Sequence, residues 1–300
     1  MPVILRPYKL ITSVFSNIFS ISSSKFDGSS LAAKISFFTF LFFLFSFSVN
    51  AQKTWQPITG GDWAVGANWS GGLAPVAGDA VVINSDQSGD ITNVPAISLN
   101  SFTVTGTCTL AASVSGNILT VTSSFSVGAL ETLTLGIAGA RLSFTLGAAA
   151  GGTILGTAIV NAGATPRTFQ CDGTLSIPSG GLLSGIGPSD FILSTGATLR
   201  IGSAAGITVA TAAGSVQVTG TRSYSTGANY HYIGVANQSE GDGLPATVAS
   251  LTINNTGGGG NNTVSLVSNI AITNALTISN GVFALVANNV TSVGSLNMTG

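Results

Sequence analysis

Charged residues are scarce in this 300-residue chain: Asp, Glu, Lys and Arg make up 6% of it, whereas they make up about a quarter of an ordinary globular protein. The scarcity argues against helices built from Leu, Glu and Lys, and the abundant small residues favour β structure with tight turns. The formal net charge of −1 provides no basic surface, so we expect no nucleic-acid partner. Hydrophobic residues make up 45% of the chain, which is enough for a large core.

The one long apolar run lies near the N-terminus and has the layout of a secretory signal peptide. A lysine precedes ISFFTFLFFLFSFSV (35–49), and Val49 and Ala51 occupy the small-residue positions before a cleavage site. We expect residues 1–51 to be an extended leader that is cleaved between Ala51 and Gln52, which leaves no membrane span. The alternative is an uncleaved anchor, although the run is short for a span of about 20 residues.

From about residue 97 onward, the chain repeats a short pattern in which two apolar residues flank one polar residue and a Gly, Ser or Asn turn follows. Such alternation is typical of half-buried β-strands whose apolar residues point inward. The predicted strand doublets are Leu119/Val121, Phe125/Val127, Leu133/Leu135, Leu142/Phe144, Phe191/Leu193, Leu199/Ile201, Ile207/Val209 and Val216/Val218. A longer period also exists, because LTINN at Leu251 recurs as LTISN at Leu276, 25 residues later.

Three short strands in each longer unit predict stacked triangular coils. The predicted fold class is therefore all-β: a right-handed parallel β-solenoid (β-helix) with an N-terminal Trp-rich cap. We expect the leader over 1–51, the cap and first strands over 52–96, and solenoid repeats over 97–300, which stop within a repeat and look truncated. The rival architecture is a string of antiparallel β-sandwiches, which the lack of regularly spaced large aromatic residues disfavours.

Two cysteines, Cys108 and Cys171, could pair if the chain reaches an oxidising compartment. At about 24 residues per coil they lie two to three rungs apart, which is roughly 10 to 14 Å at the usual strand spacing. A disulfide requires Cα atoms within about 7 Å. We therefore expect two separate buried thiols that pack as small apolar residues.

Several blocks carry a family resemblance: TGTRSYSTGANYHYIG (219–234), NQSEGDGLPATVASLTINN (237–255), the early NWSGG and GDAVVI, and NAQ at the leader's end. In this order they resemble the repeat region of large surface-exposed or secreted proteins of Gram-negative bacteria that use type IX secretion. The resemblance implies export, a β-solenoid and an adhesin-like or scaffolding role. Such proteins usually end in a β-sandwich sorting domain, whereas this chain stops at LNMTG, so surface anchoring is left open.

The only histidine, His231, lies between Tyr230 and Tyr232 in an alternating stretch. Because neighbouring residues of a strand point to opposite faces, we expect His231 to face solvent on the side away from both tyrosines. As a general base it would need a nucleophile and an orienting carboxylate, and no nearby residue has the right spacing for either.

Acidic residues are scattered, and the closest pairs are Glu240 with Asp242 and Asp86 with Asp90. A solenoid-shaped polysaccharide lyase or hydrolase is the enzymatic alternative, because it would share the fold. Glycosidic hydrolysis needs two carboxylates about 5 to 10 Å apart, and scattered acids argue against it. The loop NQSEGDG (237–243) offers oxygen ligands for calcium, but it lacks the spacing of an EF-hand loop and is predicted to be a plain turn. We predict no catalytic residue, no cofactor and no metal site.

All three tryptophans, Trp55, Trp63 and Trp69, precede the first predicted coil. Because stacked coils expose an apolar end, we interpret them as a lid; the alternative is a platform on which sugar rings stack.

The predicted function is accordingly that of a secreted or surface-located, non-catalytic, adhesin-like protein that contacts a surface, a matrix or an extracellular polysaccharide. The alternative is the carbohydrate-binding portion of a larger secreted polysaccharide-degrading enzyme, with Trp55, Trp63 and Trp69 as its binding residues.

Overall fold

The structure is a computed structural model that describes residues 51–209 and 212–298, and the regular secondary structure of this part is β-strand apart from one short 3-10 helix over Gly66–Asn68. The first strands are β1 (Gln52–Thr54), β2 (Gly61–Asp62), β3 (Ala80–Ile83), β4 (Ile91–Val94), β5 (Ile97–Val104), β6 (Cys108–Ala112), β7 (Asn117–Val127), β8 (Thr132–Leu135), β9 (Leu142–Leu146), β10 (Gly151–Ile154), β11 (Thr157–Asn161), β12 (Arg167–Cys171) and β13 (Thr174–Ile177). The later strands are β14 (Leu182–Ile186), β15 (Ser189–Leu193), β16 (Thr198–Ile201), β17 (Val216–Gln217), β18 (Arg222–Tyr224), β19 (Asn229–Tyr232), β20 (Gln238–Ser239), β21 (Thr247–Asn254), β22 (Thr263–Ser265), β23 (Ile270–Asn280), β24 (Val282–Ala284) and β25 (Val290–Met298).

Successive strands wind into three-sided coils, and each coil pairs in parallel with the next, so that about ten turns form a β-solenoid. Face 1 comprises β1, β3, β10, β13, β16, β19 and the second halves of β5, β7, β21, β23 and β25. Face 2 comprises β9, β12, β15, β18 and the first halves of the same five long strands. Face 3 comprises a seven-stranded sheet, from β2 to β17, and the three-stranded sheet of β20, β22 and β24. The predicted all-β parallel solenoid is confirmed.

The predicted longer period corresponds to one coil. Leu251 pairs directly with Leu276 across β21 and β23, so the 25-residue step carries the chain once around the stack. Other coils are shorter or longer: on face 1, Leu276 pairs with Leu296, and Leu199 pairs with Tyr230. No break separates 52–96 from the rest, since β3 pairs with β5 across that boundary.

The prediction of a strand at Ile207/Val209 is wrong. The described residues between β16 and β17, 202–209 and 212–215, contain no strand; in this connection of the longest coil, Ile207 is buried but Val209 is 44% exposed. The Ile207 N–H donates to the carbonyl of Glu240, and the N–H of Gly243 donates back to the carbonyl of Ile207. Ile207 thus bonds to the residues that follow β20, and Ala204 accepts the N–H of Ser239 on β20 itself, without a regular strand pairing.

The connection between β16 and β17 marks a level at which two faces are interrupted. Among the described residues, β17 does not pair with β20 on face 3, and β18 does not pair with β21 on face 2. Face 1 alone crosses this level with continuous strand pairing, from β16 through β19 to β21.

The core consists of the inward residues of all three faces, stacked coil upon coil. On face 2 these residues include a continuous aromatic column, because Phe144, Phe169 and Phe191 occupy one register position. Phe125 from face 1 and Tyr224 from β18 extend it, with ring centroids 4.6 Å apart for Phe125 and Phe144, 4.7 Å for Phe144 and Phe169, and 5.7 Å for Phe191 and Tyr224. Glycine corners let the coils approach closely: at Gly156 an added Cβ would lie 2.3 Å from the Glu131 carbonyl oxygen.

The two cysteines are separate and buried, as predicted. Cys108 lies on β6 in face 3, and Cys171 lies on β12 in face 2. Burial raises the pKa of each thiol to about 12, and the nearby carboxylates of Glu131 and Asp172 add to the effect at Cys108 and Cys171 respectively.

Both thiols are expected to be unreactive in the folded protein. The thiolate is the nucleophile, and a pKa of about 12 leaves almost none of it at pH 8. A colorimetric disulfide reagent at pH 8 should therefore detect no thiol in the native protein and two per chain after unfolding in guanidinium. Rapid reaction of either thiol before unfolding would contradict this burial, and a disulfide in the intact protein would contradict the separation.

No helix in the described residues is long and apolar enough to cross a membrane. Residues 1–50, which contain almost all of the predicted leader, lie outside the described residues.

Candidate functional site

The three tryptophans form one buried cluster at the N-terminal end of the stack. Trp55, Trp63 and Trp69 are 1%, 1% and 2% exposed and belong to the same core as the first coils. The Trp69 ring meets the other two edge-on, with centroids 4.9 Å from Trp55 and 4.7 Å from Trp63. The Trp69 indole N–H donates to the Trp63 carbonyl at 2.7 Å, and that of Trp55 donates to the Gln87 side chain at 3.0 Å.

This burial makes the cluster a lid. A sugar-binding platform must present a ring face to solvent, and these faces pack against each other and against the first coil. The alternative prediction that Trp55, Trp63 and Trp69 bind carbohydrate does not fit the structure, because no ring face is accessible.

The oxygen ligands predicted at 237–243 do not converge. Asn237 Oδ1 accepts the N–H of Thr263, the Ser239 hydroxyl accepts the N–H of Gly241, and Asp242 Oδ1 accepts the N–H of Val209. The prediction of a plain turn is wrong for Gln238–Ser239, which form β20 and pair with β22, while the residues after them form a turn. Within the described residues no group of three or more His, Cys, Asp or Glu could hold a metal ion.

The side chains of the closest acidic pair, Glu240 and Asp242, also point to different parts of the structure. The Glu240 side chain turns inward and is 1% exposed; its Oε1 accepts the Ser268 hydroxyl at 2.5 Å, while its Oε2 has no hydrogen-bond partner. Burial raises the pKa of this carboxyl. Since Asp242 bonds to a different part of the loop, the two carboxylates do not face a common space as a glycosidase pair must.

The outward surface of face 1 is the most regular polar surface of the described chain. From β3 onward, each strand of this face presents two outward residues, two positions apart, and each pairs with its counterpart in the next coil. The first row is Ala80, Ser101, Ser124, Gly151, Thr174, Thr198, Asn229, Ser250, Ala275 and Ser295. The second row is Val82, Thr103, Ser126, Thr153, Ser176, Arg200, His231, Thr252, Thr277 and Asn297.

Four successive coils, from β5 to β13, carry only Ser, Thr or Gly at these positions, and we call this part the hydroxyl surface. Strand spacing sets neighbouring hydroxyls about 4.8 Å apart along the stack and roughly 6.6 Å apart along each strand. Among the described residues, Thr103, Ser126, Thr153 and Ser176 make no side-chain hydrogen bond, and each is partly exposed. Their hydroxyls are thus free to bond to a ligand.

In the two coils that follow the hydroxyl surface toward the C-terminus, Arg200 and His231 are neighbours in the second row. Tyr230 and Tyr232 point into the core and His231 points outward, as predicted, although its ring is half-buried. Burial, together with the smaller effect of the positive charge of Arg200, lowers the pKa of His231 to about 4, so the imidazole is neutral at pH 7.

Sequence inspection did not find this pair. The two residues are 31 positions apart in sequence, because the connection between β16 and β17 is long, so they do not follow the usual coil length. The outward position of each could have been read from the alternation in TLRI and NYHY, but their adjacency could not.

The fold and its polar surface define a class, that of parallel β-solenoids with an outward hydroxyl face. Comparison with family models, curated proteins and solved structures finds no match to this chain.

Proposed function

We propose that this protein is an exported, non-catalytic, adhesin-like solenoid whose hydroxyl surface binds polysaccharide or extracellular matrix. The observation that carries the proposal is the array of unbonded Ser and Thr hydroxyls, in register over four coils of face 1. Polysaccharide chains present repeating hydroxyls on a similar length scale, and each hydroxyl is both a donor and an acceptor.

The array suits a long ligand better than a small one. A single neutral hydrogen bond contributes only about 0.5–1.5 kcal/mol, so useful affinity requires many of them at once. Short side chains on a rigid sheet lose little conformational entropy when a ligand orders them. Repeated weak contacts along one chain then add through high effective concentration.

Export is the second part of the proposal. It rests on the leader-like layout of 1–51 and on the resemblance to surface proteins that use type IX secretion. It is tested by the mass of the protein recovered from culture medium, which should correspond to a chain that begins at Gln52.

The binding proposal is tested with a matched pair of double variants. Thr103→Val with Thr153→Val removes two hydroxyls from face 1 and keeps the β-branched shape, while Thr109→Val with Thr134→Val makes the same change on face 3. Retention of the purified protein on insoluble cellulose, chitin or agarose should fall roughly tenfold for the first variant, as two lost hydrogen bonds imply, and stay unchanged for the second.

Equal losses on both faces, or no retention on any polysaccharide or matrix preparation, would contradict the proposal. Release of reducing sugar from these polysaccharides by the purified protein would favour the enzymatic alternative.

A further inference from the structure

We infer that face 1 contains an anion-binding site for acidic polysaccharides, formed around Arg200 on β16 and its neighbours on β19 and β21. The site would take the sulfate ester or uronate carboxylate of a glycan chain that lies along the hydroxyl surface. This inference rests on the proposed function and names its ligand class.

The register brings several hydrogen-bond donors to the guanidinium. Arg200 is in register with Ser176 on one side and His231 on the other, each about 4.8 Å away along the stack. In the first row, Thr198 is in register with Asn229, and the amide of Asn229 lies 3.4 Å from the Thr198 hydroxyl. An oxyanion above Arg200 would therefore meet a cation flanked by neutral donors.

Arg200 differs from the other arginines of the described part of the chain. Arg141 donates to the backbone and side chain of Asn161, Arg167 donates to Ser115, and Arg222 donates to Thr208. For Arg200 the described residues provide no hydrogen bond and no ion pair from any guanidinium nitrogen; its Nε, like that of Arg167, is enclosed without a partner. A planar guanidinium with free donors matches the two oxygens of a carboxylate or sulfate.

The surroundings on face 1 carry no opposing negative charge. None of the strands that form this face contains Asp or Glu, although acids outnumber bases in the chain. Acids lie only at the corners beside this face: Asp172 accepts hydrogen bonds from Gln170 and Ser194, and Glu131 accepts the Thr107 hydroxyl. An anionic chain can thus lie along the strands of face 1 without crossing a carboxylate, and the positive charge of Arg200 favours it over a neutral chain.

His231 provides a direct spectroscopic reporter of occupancy. It is the only histidine of the chain, and its neighbours in register are Arg200 and the uncharged Thr252. An anion bound at Arg200 would offset the positive charge that disfavours the imidazolium, so it would raise the pKa of His231.

The test compares dextran sulfate with dextran, which share one backbone, and adds polygalacturonate as the carboxylate probe. The purified, untagged protein should bind dextran sulfate or polygalacturonate more tightly than dextran. Arg200→Gln should weaken binding to the acidic probe roughly tenfold or more, as expected for a charge-assisted hydrogen bond, and Arg200→Lys should restore part of it. Arg167→Gln removes the same charge on face 2 and should change binding less than twofold.

The pKa of His231, measured by NMR, distinguishes binding at Arg200 from nonspecific attraction of the acidic chain to the protein. In NMR spectra of the wild type, the pKa of His231 should rise when the acidic probe is added and stay constant with dextran. A preference for sulfate or for carboxylate identifies the anionic group of the ligand.

Two failures are distinguishable. If neutral polysaccharides are retained through the hydroxyl surface but Arg200→Gln binds dextran sulfate and polygalacturonate as well as the wild type does, the inference is overturned and the proposed function stands. If neither neutral nor acidic polysaccharide binds, both are overturned.

Discussion

Replacing Trp69 by alanine is expected to lower the free energy of unfolding by about 3–5 kcal/mol, the usual loss for truncating a buried tryptophan. Trp69 is 2% exposed, and its ring is the one that contacts both other tryptophans. Its indole N–H also bonds to the Trp63 carbonyl. The substitution thus removes the centre of the lid and uncovers the apolar end of the first coil.

Urea unfolding followed by far-UV circular dichroism measures this loss, since the signal does not depend on the missing indole. Leu73→Ala is the matched control: Leu73 lies four residues away and is 67% exposed, so its truncation should change stability by less than about 0.5 kcal/mol. Equal effects of the two substitutions would show that the cluster does not stabilise the stack.

Truncating Phe169 to alanine is the second large expected effect, again about 3–5 kcal/mol. The Phe169 ring lies in the middle of the aromatic column, 4.7 Å from Phe144 and 6.3 Å from Phe191 between centroids. A cavity here has coils on both sides, and close-packed neighbours cannot collapse into it without breaking strand pairing.

Because each coil contacts only its neighbours, this loss should also be local. Hydrogen exchange should accelerate most in β9, β12 and β15, the three strands that meet at Phe169. Ile192→Ala is the control, since Ile192 lies on β15 but points outward and is 36% exposed. Uniform acceleration over all coils, or an equal effect of Ile192→Ala, would contradict the nearest-neighbour description.

The repeating part of the fold could be predicted because it depends on two short-range rules. Inward residues alternate with outward ones, so doublets such as Leu199/Ile201 mark a strand and its buried side. Similar sequence stretches then stack on each other, as LTINN and LTISN do at Leu251 and Leu276. Neither rule requires knowledge of distant residues.

The exceptions depend on contacts that these rules do not contain. Ile207 and Val209 have the apolar spacing of a strand, yet Ile207 bonds to the loop around Glu240, 33 residues later in the chain. Likewise, a cluster of tryptophans suits both a lid and a sugar platform. The structure distinguishes the two because it buries all three rings and gives Trp69 a bonding partner within the cluster.

The interruption of faces 2 and 3 near the connection between β16 and β17 has a mechanical consequence. Strands lie across the stack, so the hydrogen bonds between coils point along its axis, and a pull along that axis opens them one after another. At most levels three rows of strand pairing resist the pull, whereas between β16 and β21 only face 1 is paired throughout. Under tension the solenoid would therefore part first at this level, a few residues from Arg200.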